Sequence, residues 1–277
     1  KRSLAMPLTI SGNISALDAS KNLNKSSSAV SKGFEKIASG KRINKGSDDP
    51  AGLAIATEML TRANISTVAA RNISDGVSAA SIAEGALDSA SEITSRLAEL
   101  ATQAANGTLS DQQRSALNNE YQSLSSELDR IAGSTEFNGQ SLLNGNNSID
   151  LQVGTDSTSN SQISLKLPNV SSSSLGITSN IATQNAALQS LEQVKQATDT
   201  LASARGEIGS GVSRLETAYN NLKTSELGLR EASSRILDAN IATESANLTA
   251  NKIQQQASVA IQAQANNSAQ VAIKLLS

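Results

Sequence analysis

Residues Leu191–Leu229 read LEQVKQATDTLASARGEIGSGVSRLETAYNNLKTSELGL, and their spacing decides the fold. Leu191, Val194, Thr198, Leu201, Arg205, Ile208, Val212, Leu215, Tyr219, Leu222, Glu226 and Leu229 follow one another at steps of three and four, for more than five heptads. A strand alternates by two; a sustained three-four rhythm puts these positions on one stripe of a helix, and that stripe needs a partner helix. Thr198, Arg205 and Glu226 weaken the seam; they fix its register, face partners, or are chance polar intrusions into it.

On the N-terminal side of this stripe the character changes. Asn138-Gly139, Asn144-Gly145 and Pro168 are turn signals, Ile149, Leu151 and Val153 alternate with polar residues, and so do Ile163, Leu165 and Leu167. A β-hairpin is expected there, followed by a surface loop at residues 171–174. Further upstream, Ser110-x-x-Gln113 is a capping box that opens a helix with the stripe Leu117, Tyr121, Leu124, Leu128 and Ile131, which Gly133 is expected to end. Before it, Asp49 as N-cap and Pro50 as first helical residue start a helix that runs to about Ala105, where Asn106-Gly107 stops it. Gly76 and Gly85 inside that helix each cost about 1 kcal/mol relative to Ala and are expected to permit close approach of another helix. The first helix is expected from about Leu17 to residue 40, with Val30, Phe34 and Ile37 on one face.

Composition narrows the function. The chain has 277 residues, 38% of them apolar, and only four aromatics (Phe34, Tyr121, Phe137, Tyr219), with mean hydropathy −0.24. Packing must therefore come from Ala, Leu, Ile and Val in closely apposed helices, so a long, thin molecule fits better than a thick spherical core. Cys and His are both at zero, which removes disulfides, thiol nucleophiles, His-containing triads and zinc sites of His and Cys. A net charge of −2 argues against a nucleic-acid partner. No stretch approaches the roughly 20 apolar residues of a membrane span, and Pro7, Ser11 and Asn13 interrupt any conventional secretory signal after Lys1-Arg2.

The two ends share a peculiarity. From Asn240 to Ser277 only Glu244, Lys252 and Lys274 are charged, and the first helix is also poor in charge and rich in small residues. An exposed helix of this kind is marginal alone in water. The ends are expected to pair with each other and with copies from neighbouring chains, through Val30, Phe34, Ile37, Ile253, Val271, Leu275 and Leu276; contacts that do not close generate a helical filament. Catalytic patterns are weak by comparison. Gly206, Gly209 and Gly211 lie in a helical stripe with no strand before them, which suits helix packing rather than a phosphate loop. Asp48-Asp49 reads as a turn and cap rather than a cation site, and Glu92, Glu99, Glu127 and Asp129 as solvated charges.

Several motifs in order then resemble bacterial flagellin, the subunit of the flagellar filament. They are Leu17 to Leu23 with Asn24-Lys25-Ser26; Ser39-Gly40-Lys41-Arg42-Ile43-Asn44; Asp48-Asp49-Pro50-Ala51-Gly52-Leu53-Ala54-Ile55-Ala56; and Ala104-Ala105-Asn106-Gly107-Thr108. Further on come Glu127-Leu128-Asp129-Arg130-Ile131-Ala132, Thr135-Glu136-Phe137-Asn138-Gly139, Ser234-Arg235-Ile236, Asp238-Ala239 and Ala246-Asn247-Leu248-Thr249. The resemblance covers nearly the whole chain from Met6, and makes residues 1–5 an extension or a differently chosen start. It implies a mainly α fold of long antiparallel helices: a terminal coiled coil from residues 1–46 and 238–277, and a helical rod over 47–237 with a β-hairpin at about 140–182. The span between Gly139 and about Thr183 leaves no room for large outer domains, so the resemblance is to a minimal form. It further implies a homopolymer for motility, without catalytic activity or cofactor, and secretion unfolded through the flagellar type III channel to an extracellular flagellum. Implied partners are the cap and hook-junction proteins, an export chaperone at the C-terminal segment, and host Toll-like receptor 5 through Arg96, Leu100 and Glu120. Ala98 stands where relatives often place a second Arg. A hook-filament junction protein is the alternative within structural proteins.

Overall fold

The computed structural model describes residues 13–145, 147–154, 156 and 158–276. Its elements in order are α1 (Ile14–Ser39), α2 (Pro50–Ala104), α3 (Asp111–Ser134), β1 (Glu136–Phe137), β2 (Gln140–Ser141), β3 (Asn147–Gln152), β4 (Gln162–Leu167), α4 (Gln184–Leu237) and α5 (Ile241–Leu276). The contacts divide the chain into two compact units, Lys1–Leu60 with Leu229–Ser277, and Thr61–Gly228. The first unit therefore takes in more of α2 and α4 than a division at residues 46 and 238 would give it. The reason is a small core of Ile43, Ala56 and Leu237, flanked by Leu53, Leu60 and Ile236, which ties the start of α2 to the end of α4.

In the terminal unit α1 lies antiparallel to α5. The Asn13 side chain caps α1 by accepting from the Ala16 N–H at 3.0 Å and donates to the Ala265 carbonyl at 2.9 Å, while Lys36 pairs with Glu244 at the other end at 3.3 Å. The buried side of α1 is Ala19, Ser26 and Gly33, one small residue every seventh position. A Cβ added at Gly33 would stand 3.3 Å from Leu248 Cδ1, so the helices meet there at glycine distance. Gly40 closes α1 in the left-handed region with φ 69°, which spares it the steric penalty a side chain would meet. The chain is then stitched across: the Arg42 and Ala239 N–H groups donate to the Leu237 and Gly40 carbonyls at 2.6 and 2.9 Å, and the Arg42 guanidinium donates to the Ile236 carbonyl at 2.8 Å. Asp49 caps α2 by accepting from the Gly52 N–H at 2.9 Å, and Asp48 accepts from the Asn44 and Lys45 N–H groups, both at 3.1 Å. The Asp48-Asp49 pair is thus a turn and a cap.

The second unit holds the main core, in which α2, α3 and α4 bury Leu87, Leu97, Leu100, Tyr121, Leu128, Val194, Leu201 and Ile208 together with Leu142, Leu143 and Leu165 from the β region. The seam of α4 differs from the expected stripe by one residue in every other place. Buried positions are Ser190, Val194, Ala197, Leu201, Ala204, Ile208, Gly211 and Leu215, alternating large and small, whereas Thr198 is exposed and Arg205 lies on the flank. Small residues at alternate positions let α4 approach α2, whose seam is itself mostly small: Ala80, Ala83, Leu87, Ala90, Thr94, Leu97, Ala101 and Ala104. Arg205 pairs outward with Asp88 of α2 at 2.9 Å. The large residues of the heptad were legible; Ala and Gly carry too little hydrophobicity to compete with a neighbouring Thr, Arg or Val in a pattern.

The expected hairpin forms, with β3 antiparallel to β4 from Asn147↔Leu167 to Gln152↔Gln162. It rests on glycines. A Cβ at Gly76 would collide with Leu151 Cδ1, and one at Gly211 would come 2.7 Å from Leu165 Cδ1. Gly76 therefore admits the hairpin rather than a helix, while Gly85, Gly206 and Gly209 face open space. A second, shorter hairpin joins β1 to β2 through Asn138 and Gly139, both at positive φ (52° and 77°), as a two-residue turn requires. The capping box of α3 is present: the Ser110 N–H donates to the Gln113 side chain at 2.9 Å, and the Gln113 N–H to the Ser110 hydroxyl at 3.4 Å. Gly133 does not end α3, which runs on to Ser134 and turns at an extended Thr135, whose N–H and hydroxyl both donate to the Ile131 carbonyl.

Candidate assembly and recognition surfaces

Large exposed apolar side chains among the described residues are densest on the two terminal helices, although Ile55, Ile65, Val68 and Ile82 of α2 and Leu188 and Leu227 of α4 are exposed as well. On α1, Ile14 and Leu17 are exposed and Phe34 is 49% exposed; on α5, Ile241, Ile253, Val259, Ile261 and Val271 are exposed. Of the residues expected to mediate self-association, Phe34, Ile253 and Val271 thus present apolar surface, and Val30 and Ile37 are half-buried. The side chains of Leu275 and Leu276 lie outside the described residues, as does the expected start at Met6. Phe34 has a neighbour that the sequence did not announce: the Lys252 ammonium sits 4.6 Å from the centre of its ring, a cation–π contact between α1 and α5. Exposed apolar positions on α5 occur around the helix rather than on one stripe, the pattern of a helix meant to be covered on more than one side.

Arg96 and Glu120 meet on the surface of the second unit. The Arg96 guanidinium donates to Glu120 Oε1 through Nη2 at 2.8 Å and Nε at 3.1 Å, and through Nη1 to Glu99 Oε2 at 2.8 Å. The hydrogen bonds that Arg96 donates to Glu99 and Glu120 hold its pKa above the ordinary value. Leu100 is placed differently. It is 1% exposed and belongs to the main core beneath the pair, because it falls on the seam of α2. Its side chain supports α2 from within and presents no surface. Glu127 pairs with Arg130 at 2.5 Å, which holds its carboxyl below the usual range, while Asp129 accepts from the Ser172 N–H and hydroxyl at 2.7 and 2.8 Å. The loop at residues 171–174 is thereby tied to α3.

Arg114 was missed by pattern reading. It is 8% exposed, and its guanidinium donates to the carbonyls of Ala104, Asn106 and Leu109 at 3.0, 2.9 and 2.8 Å. A helix C-terminus leaves carbonyls without partners and carries partial negative charge; one buried cation answers both for α2. Tyr121, wholly buried, has its hydroxyl beside Ser190, whose own proton goes to the Asn180 carbonyl at 3.1 Å; burial pushes the Tyr121 pKa up against a smaller opposing effect of Ser190. Among the described residues no group of three or more His, Cys, Asp or Glu is placed to hold a metal, and no helix is long and apolar enough to cross a membrane.

Fold and surface together define a class: a helical structural protein whose seams are built from small residues and whose terminal helices carry exposed apolar side chains. Comparison with known proteins supplies the family. The profile of the bacterial flagellin N-terminal helical region matches residues 10–148, and that of the C-terminal helical region matches residues 191–276. A flagellin of Halalkalibacterium halodurans is 35% identical over 97% of this chain and 100% of its own length, and one of Bacillus subtilis is 34% identical with the same coverage. A flagellar filament core protein of Treponema maltophilum is 33% identical over 98% of this chain and 100% of its own. Among solved structures, a protein of Vibrio parahaemolyticus described as hook-associated shares the fold, with a TM-score of 0.57 over 69% of this chain and 100% of its own, at 17% identity. The chain belongs to the bacterial flagellin family, the structural subunits of the flagellar filament. The hook-junction alternative has nothing beyond a shared fold in its favour.

Proposed function

We propose that this chain polymerises by covering its terminal helix pair with the corresponding helices of neighbouring copies. The carrying observation is an imbalance: α1 buries Ala19, Ser26 and Gly33, while Phe34, Ile253, Val259, Ile261 and Val271 of the same pair stand exposed. At about 25 cal/mol per Å² of apolar surface, a few hundred Å² per contact supplies several kcal/mol before the cost of association, and repetition along a filament multiplies it. The assembled state belongs outside the cell, after export of the unfolded chain with a chaperone on its C-terminal segment and addition beneath a cap at the distal tip. The test is removal of residues 271–277. The truncated chain is expected to keep its far-ultraviolet spectrum but to leave no filaments by sedimentation and electron microscopy; normal filaments overturn the reading.

Recognition by Toll-like receptor 5 is proposed at Arg96 and Glu120, supported by their exposed ion pair, with Leu100 serving from within to hold α2 in place. Arg96→Ala is expected to lower receptor signalling by the monomer severalfold with little change in stability, since water screens an exposed ion pair. Undiminished signalling removes the proposal.

A further inference from the structure

Three Asn-Gly pairs occur in the chain, Asn106-Gly107, Asn138-Gly139 and Asn144-Gly145. Asn followed by Gly is the least hindered setting for cyclic imide formation, because the attacking backbone nitrogen belongs to a residue without Cβ. Closing the five-membered ring swings the Asn backbone away from the torsions of helices, strands and turns, so local freedom sets the rate at each pair. The three differ in that freedom.

Asn106 is held at both ends: its side-chain oxygen accepts from the Thr108 N–H at 3.1 Å and its carbonyl accepts from the buried Arg114 at 2.9 Å. Asn138 and Gly139 are locked at φ 52° and 77° in the turn closed by the Phe137↔Gln140 pair. Asn144 is exposed and lies outside any helix or strand, followed by Gly145 at φ 134°. Leu143 just before it is fully buried, and its carbonyl accepts from the Val170 N–H at 3.1 Å, so freedom begins at Asn144.

We infer that Asn144 is a site of spontaneous covalent modification, with water as its only co-reactant. The deprotonated nitrogen of Gly145 attacks Cγ of Asn144; the new C–N bond replaces the bond to the amide nitrogen, which leaves as ammonia. Water then opens the imide at either carbonyl, yielding Asp or an isoaspartate whose main chain passes through the former side chain. Both products bring a new carboxylate, and isoaspartate lengthens the backbone just ahead of β3, whose pairing with β4 starts at Asn147↔Leu167. This inference stands apart from the assembly reading.

The experiment incubates the full-length chain in mildly alkaline buffer and maps conversion at each pair by peptide mass spectrometry with fragmentation that separates Asp from isoaspartate. Methyl incorporation by a protein isoaspartate methyltransferase gives a second readout. In the folded chain Asn144 is expected to convert at least about tenfold faster than Asn106 or Asn138, and in urea the three are expected to converge to within about twofold. Asn144→Gln, with an unchanged circular dichroism spectrum, is expected to lose most methyl incorporation. Equal rates in the folded chain, a faster Asn106 or Asn138, undiminished methyl incorporation in the Gln variant, or a lead for Asn144 that persists in urea would each overturn the assignment.

Discussion

Single residues decide how the helix ends are satisfied. Arg114 serves three carbonyls from a buried position, so Arg114→Ala is expected to lower stability by about 1.5–3 kcal/mol, read by urea unfolding, because charged hydrogen bonds to the last carbonyl of α2 and to two carbonyls of the following loop are lost. Arg at this position looked like any surface cation in the sequence, since nothing local says that a chain reversal brings it back onto the end of the preceding helix. Asp48 is the opposite case, legible as a turn residue. Hydrogen bonds from the Asn44 and Lys45 N–H groups hold its carboxyl below the usual range. A folded-state pKa depressed below the unfolded value of about 3.9 contributes stability above that pH, and the contribution is lost as pH falls through the folded value. The difference in melting temperature between the native chain and Asp48→Asn is therefore expected to shrink as the pH is taken below about 4, in thermal scans.

At the level of elements, α4 separates what a periodic pattern can and cannot say. Val194, Leu201, Ile208 and Leu215 read as one stripe, and all four are buried; between them the three-four rhythm points to Thr198, Arg205 and Val212, where the seam uses Ala197, Ala204 and Gly211. This gives a paired test. Ala197→Leu is expected to cost about 1–3 kcal/mol by overpacking against α2, whereas Thr198→Leu, on the exposed side, is expected to shift stability by no more than about 0.5 kcal/mol in denaturant unfolding. The reverse order would mean that the seam is the apolar stripe after all. Leu215→Ala, which removes a fully buried side chain beside Ile73, is expected to cost about 2–5 kcal/mol. The hairpin was recognisable from alternation alone, but its seat was not: Gly76 read as a site of close helix approach, and only the fold places Leu151 over it.

Over the whole molecule, the two units are finished to different degrees. The unit from Thr61 to Gly228 closes a core around Leu87, Leu97, Tyr121, Leu128 and Leu201, while among the described residues the terminal unit joins α1 to α5 through small residues packed against Leu248, the Asn13–Ala265 hydrogen bond, the Lys36–Glu244 ion pair and the Lys252–Phe34 cation–π contact. Amide hydrogen exchange of the unassembled chain is therefore expected to be fastest in α1 and α5 and slowest along the seams of α2 and α4, with exchange in α1 and α5 slowing once filaments form. Uniform protection in the monomer would remove the reason for assembly.

The sequence by itself determined the helical class, the hairpin, the caps at Asp49 and Ser110, the family and the charge-poor, small-residue character of the ends, because periodicity, turn chemistry and composition are local properties of the chain. Tertiary structure alone decided that Leu100 lies inside while Arg96 and Glu120 face out, that Arg114 closes a helix, that glycines seat the hairpin, and that alanines form the seam. Those outcomes depend on which surfaces come within a few ångströms of one another, and a small or charged residue takes its meaning from that neighbour rather than from its place in the chain.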